Sequence, residues 1–182
     1  MRARGIAVGL AVLGLSILPL NGSAAAPADE GSRVCTWGGT PAAPTGTFTI
    51  SPGVTNFPSA GPLQFSATGP LAGDGPCAGT MTFRGIVDAG GTCSALVFEG
   101  KVEGLPGVAS FYGPGALGLV HEFLYDNRGD IVGSDQPQVL TVGNATDPQH
   151  PAFTACETPE GITEGSFSST VELYPSYGTG LS

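Results

Sequence analysis

The chain has one lysine (Lys101), two histidines and only six basic residues in all, against fifteen acidic ones. Arg2 and Arg4 belong to an N-terminal leader. Without them, 4 basic residues face 15 acidic ones, a formal charge of −11. Arg33, Arg84, Lys101 and Arg128 are scattered, so no basic patch exists to hold phosphates. Nucleic acid and anionic membrane surfaces are excluded as partners, since a strongly acidic chain repels both.

Long apolar runs are missing after residue 20, as are cofactor loops and local catalytic signatures. No G-x-S-x-G, S-x-x-K or H-E-x-x-H occurs, for His121-Glu122 is followed by Phe123, Leu124 and Tyr125. No C-x-x-C pair marks a zinc site. Neither a metal nor a cofactor is therefore expected. No window after Arg33 carries apolar residues at three-and-four spacing for three turns, which excludes substantial helix.

Residues 1–26 read as an export signal. Arg2 and Arg4 precede an apolar run of about 16 residues, too short for a stable span, and small residues ending in Ala24, Ala25 and Ala26 follow. Residues 27–34 are expected as a flexible arm, 35–175 as one domain and 176–182 as a tail. The product is expected outside the cell without a membrane anchor. An oxidising compartment then makes the four cysteines a pair of disulfides.

Glycine (30 residues) and proline (16 residues) punctuate the chain densely, and the stretches between them alternate with period two. Eight strands are expected, at about 45–51, 63–68, 79–87, 92–102, 108–112, 119–126, 130–142 and 165–174. Pro137 removes a ladder donor from the seventh and predicts an edge or a bulge there. The fold class is all-β, an antiparallel sandwich or a small up-and-down barrel of about eight strands with two disulfides.

Parity of an up-and-down order pairs the cysteines. If Asp88-Ala89-Gly90-Gly91 turns a hairpin, Cys93 sits beside Ile86 and Cys77 lies on the order of 30 Å away, far beyond the bridge limit of about 7 Å. Cys35 and Cys77 then precede the first and third strands at one end, while Cys93 and Cys156 open the fourth and eighth at the other. The expected bridges are Cys35 with Cys77 and Cys93 with Cys156.

For function, the sixth strand is the informative one. Its alternation places His121, Phe123 and Tyr125 on one side, and these three are the candidate ligand-binding residues. Facing inward, they would hold a small apolar ligand in the interior. An exported protein of binding or envelope-accessory type is the leading expectation, with an unknown small molecule or extracellular protein as partner. Two alternatives stand beside it: a hydrolase or isomerase using His121 with Glu122 or an acid of a neighbouring strand, and a protease-inhibitor-like protein partner. No catalytic residue is assigned. Glu99, Glu103, Glu122 and Glu172 are possible glycosidase carboxylates. Asp126, Asp130 and Asp135 could hold calcium, though their spacing is not that of an EF-hand. The Arg-Gly-Asp triplet at 128–130 reads as turn chemistry. Asn144-Ala145-Thr146 fits a glycosylation sequon, and His150 reads as plain surface.

Overall fold

The structure is a computed structural model that describes residues 31–116, 121–142, 145–146 and 153–175. The expected export signal, the C-terminal tail, His150 and the start of the sequon lie outside these residues. Twelve strands are described: β1 (Arg33–Trp37), β2 (Gly39–Thr40), β3 (Ala43–Pro44), β4 (Gly46–Val54), β5 (Leu63–Ala72), β6 (Ala78–Val87), β7 (Leu96–Glu103), β8 (Ser110–Gly115), β9 (Glu122–Tyr125), β10 (Ile131–Val142), β11 (Ala145–Thr146) and β12 (Ile162–Leu173). A single 3-10 turn, Phe153–Glu157, precedes β12.

Every pairing is antiparallel, in the order β12-β4-β5-β6-β7-β8-β9-β10, and β10 pairs back onto β12 to close an eight-stranded barrel. Closure decides between sandwich and barrel, and it removes the free edges that an open sheet would expose. β1 is additional. It lies antiparallel along β12 from Arg33↔Leu173 to Trp37↔Ser169 and touches β5 at Trp37↔Leu71. Residues 33 and 34, expected within a flexible arm, are therefore strand. Cross-strand partners that no local pattern announces hold them there.

Alternation sets the two faces of the wall. Phe48, Ile50, Leu63, Ala67, Met81, Phe83, Val87, Leu96, Phe98 and Val102 are buried, while Thr47, Thr49, Arg84, Glu99, Lys101 and Glu103 between them are exposed. An apolar inside with a charged outside is the reverse of a barrel that faces lipid. Among the described residues no helix is long and apolar enough to cross a membrane.

Two inward-facing glycines oppose each other, Gly85↔Gly100, and Phe65↔Gly85 and Gly100↔Phe111 flank them. A Cβ on Gly100 would lie 2.2 Å from the Arg84 carbonyl oxygen, and one on Gly85 would lie 1.9 Å from that of Glu99. Only glycine allows this approach, and glycine kinks are how a sheet curves enough to close. The Phe65 and Phe111 rings fill the space over the pair, 6.3 Å apart edge to face, and Phe111 stacks on Phe83 at 4.3 Å.

The disulfides clamp opposite ends. Cys35–Cys77, Cα atoms 5.4 Å apart, lies at the end where β5 finishes and β6 begins. Cys93–Cys156, at 6.3 Å, lies where β6 finishes and β7 begins. Both pairings are those expected from end parity, but the local geometry at Cys93 is not. Asp88 to Gly91 does turn, with the Gly91 N–H donating to the Asp88 carbonyl at 3.2 Å, yet Thr92 and Ala95 then exchange hydrogen bonds in a second turn. The ladder resumes at Val87↔Phe98, so Ile86 faces Glu99 and not Cys93. Cys93 is held instead through its N–H, which donates to the Thr55 carbonyl at 2.8 Å.

At Pro137 the β10–β12 register shifts between Pro137 and Val139, the bulge that a missing N–H requires. The Arg-Gly-Asp triplet forms the β9–β10 turn. The Asp126 carboxylate accepts from the Arg128 and Asp130 N–H groups at 2.7 and 3.0 Å, and Gly129 takes the left-handed φ of 85°. The Asp130 N–H bond is the main cause holding the exposed Asp126 carboxyl below its ordinary pKa.

Candidate functional site: a buried acid pair in an aromatic interior

β9 carries the site, and its face is opposite to the one expected. Glu122 and Leu124 are buried, His121 is exposed, and Phe123 and Tyr125 are half-buried on the outer side. The expectation that His121, Phe123 and Tyr125 line the interior is thus corrected. The cause lies in the β8–β9 ladder: Phe111 is opposite Leu124, and antiparallel partners share a face. With Phe111 committed to the interior, Leu124 follows, and Glu122 two residues earlier comes with it. His121 stacks on Phe123 at 5.1 Å, outside the barrel. Tyr125 lines an open outer groove of about 770 Å³ beside Tyr112, Ile86, Arg84, Glu99 and Lys101.

Inside, β9 and β10 set Glu122 opposite Asp135. The two carboxyl groups are 4 % and 1 % exposed, in a wall whose other buried positions are largely apolar. Burying a single ionised carboxylate costs several kcal/mol, so such a pair must share protons and hydrogen bonds. The Ser169 hydroxyl on β12 donates to Asp135 Oδ1. Glu122 and Asp135, cross-strand partners, are close enough for each to shift the other's pKa. Among the described residues Glu122 Oε2 finds no hydrogen-bond partner, and neither does the Ser168 hydroxyl.

Burial, and next the charge of Asp135, pushes the Glu122 pKa well above its ordinary value. Burial also raises Asp135, to about 7, against the lowering effect of the hydrogen bonds from Ser169, Glu122 and the Gln136 backbone. Both carboxyls thus hold their protons to higher pH than free carboxyls do, burial being the largest cause for each.

The acids border a cavity of about 50 Å³ whose other walls include Trp37, Phe48, Phe83, Phe98, Phe167 and Leu140. Trp37 is fixed by its indole N–H, which donates to the Met81 carbonyl at 3.0 Å, and it packs on Phe83 and Phe167 at 4.5 Å each. The cavity has room for a few water molecules and is well short of the roughly 300 Å³ of a drug-sized site. An apolar ligand of ordinary size, expected here from the alternation of β9, does not fit the interior that the described residues leave.

The structure separates the candidates named from sequence. His121 and Glu122 are neighbours on opposite faces, so the proposed His121–Glu122 catalytic couple is not assembled. Asp126 and Asp130 sit in the outer turn while Asp135 is inside, so these three do not converge on one ion. Among the described residues no three His, Cys, Asp or Glu side chains come together. Glu122 and Asp135 each carried a suggested role, but in different sites. Nothing in the sequence pairs them, because their contact depends on how β9 and β10 register.

No protein-family model, curated protein or solved structure matches the chain.

Proposed function

We propose that this protein is an exported, disulfide-clamped binding barrel that holds the polar end of a small ligand at Glu122 and Asp135. The observation that carries the reading is the pair of buried carboxyls, Glu122 and Asp135, on the wall of an otherwise largely aromatic cavity. Burying carboxyls costs free energy, and a ligand donor that meets the pair would offset part of that cost. The two disulfides fit an oxidising, extracellular setting.

Ligand-observed NMR against a library of small polar fragments tests it. Ala67 lines the same cavity and is 4 % exposed, so Ala67→Leu fills the space without touching the acids. Fragments are expected to bind the native protein and to be lost in Ala67→Leu. A library with no hits, or hits unaffected by that substitution, sinks the reading.

The acid pair also favours a second reading, acid–base catalysis, since two facing carboxyls whose pKa values burial raises, that of Asp135 to about 7, could give and take a proton near neutral pH. Turnover of any substrate found by screening should then vanish in Glu122→Gln and survive His121→Ala.

A further inference from the structure

We infer that the outer face of the barrel over β6 to β9 is a second binding site, and that its ligand is a neutral polysaccharide. The site is separate from the interior cavity. It is the open groove of about 770 Å³ beside Tyr112 and Tyr125, roomy enough for a short run of sugars and too open to enclose a small molecule.

The groove lies outside the Gly85↔Gly100 contact, and both glycines line it, so part of its floor is backbone already fixed before a ligand arrives. Its rings are partly bare: Tyr112 is 43 % exposed and Tyr125 is half-buried. The two are diagonal neighbours, since Ser110 is opposite Tyr125 and Phe123 is opposite Tyr112. Such diagonal pairs stand about 7–8 Å apart, a spacing at which both rings can meet one extended chain of sugars. Phe123 continues the row beside Tyr112, and His121 stacks on Phe123. Contiguous rings left on a surface mark an interaction site.

Charge selects the ligand. On β7, Glu99, Lys101 and Glu103 alternate outward, and Arg84 on β6 is opposite Lys101 with its Nε 3.7 Å from Glu103 Oε2. Two positive and two negative side chains sum to zero, so neither an anion nor a cation is drawn to the place. Together they set hydrogen-bond donors next to acceptors beside the aromatic rings. A hydroxyl both donates and accepts, and a sugar carries several hydroxyls around an apolar C–H face that packs flat on a ring. A peptide fits less well. β6 to β9 are each paired on both sides, and strands so placed have no free edge for strand addition.

Co-sedimentation of the native protein with cellulose, chitin, insoluble xylan and starch, beside heparin-agarose and cross-linked chitosan as anionic and cationic controls, tests it. Retention on at least one neutral matrix, stronger than on either charged control, is expected. Tyr112→Ala and Tyr125→Ala should each weaken it about tenfold, and Ala67→Leu should leave it unchanged because that substitution fills only the interior. No retention on any neutral matrix, equal or tighter retention on heparin or chitosan, or binding undiminished in either tyrosine variant overturns the assignment, as does loss in Ala67→Leu. The interior reading stands or falls separately, on its own fragment screen. Should a tyrosine variant not fold, amide shifts of the native protein titrated with a soluble oligosaccharide of the retained matrix decide: changes centred on β7 to β9 support the proposal, and changes centred elsewhere overturn it.

Discussion

The two sides of the barrel differ in what they bury. From β4 to β8 every buried side chain is apolar, with Phe65 and Phe111 over the Gly85–Gly100 pair, Phe98 edge-on to Phe65 and Phe83 stacked on Phe111. Among the described residues the buried polar side chains, Glu122, Ser134, Asp135, Ser168 and Ser169, all lie on β9, β10 and β12. One side is stabilised by contact area and ring packing, which depend little on pH. The other is held by protons and hydrogen bonds, and it contains the two buried oxygens, Glu122 Oε2 and the Ser168 hydroxyl, that find no partner among the described residues. Rigid scaffold and chemically responsive wall are thus segregated around a single ring of strands.

The contrast is testable, starting with the largest effect. Phe83→Ala removes a ring stacked on Phe111 and packed on Trp37, and it should cost about 3–5 kcal/mol in urea unfolding. A loss under about 1 kcal/mol would mean that the apolar side is not closely packed. Gly100→Ala should cost about 1–3 kcal/mol, because its Cβ meets backbone that cannot rotate away.

The acid pair gives the smallest effect per unit change, but it is the one specific to the polar side. Both carboxyls bind protons more tightly in the folded chain than in the unfolded one. Their contribution is therefore full below about pH 4 and declines as pH rises, through about 7 for Asp135, with the raised Glu122 carboxyl adding to the decline in the same direction. Unfolding free energy should fall by about 1.4 kcal/mol per pH unit for each proton released, and Glu122→Gln/Asp135→Asn should flatten that slope. A slope unchanged in the double variant would assign the pH dependence to other groups. A Phe83→Ala chain that keeps the native slope would show that the two sides act separately.

Much of the wall was legible from residues alone. The inward faces of β4 to β7 follow from strict alternation, as with Met81, Phe83 and Val87 against Thr80, Thr82 and Arg84. Pro137 forecast its own bulge, since a residue without an N–H cannot continue a ladder. End parity paired the cysteines even though the hairpin that set Cys93 apart from Cys77 takes a second turn before β7. β9 was misread because both of its faces carry apolar groups: His121, Phe123 and Tyr125 on one, Leu124 on the other. Ring content favoured the wrong side. β1 was missed because a five-residue strand is stabilised by β12 and β5, far away in the chain.

The sequence by itself determined an all-β chain with its turns, its bulge and its two crosslinks, because period-two patterning, proline and glycine act on neighbouring residues. Tertiary structure alone decided that the sheet closes, which face of β9 turns inward and that Glu122 meets Asp135. Those outcomes depend on register between strands, with Phe111 opposite Leu124 and β10 returning to β12. Register is a property of pairs of segments, which no single segment encodes.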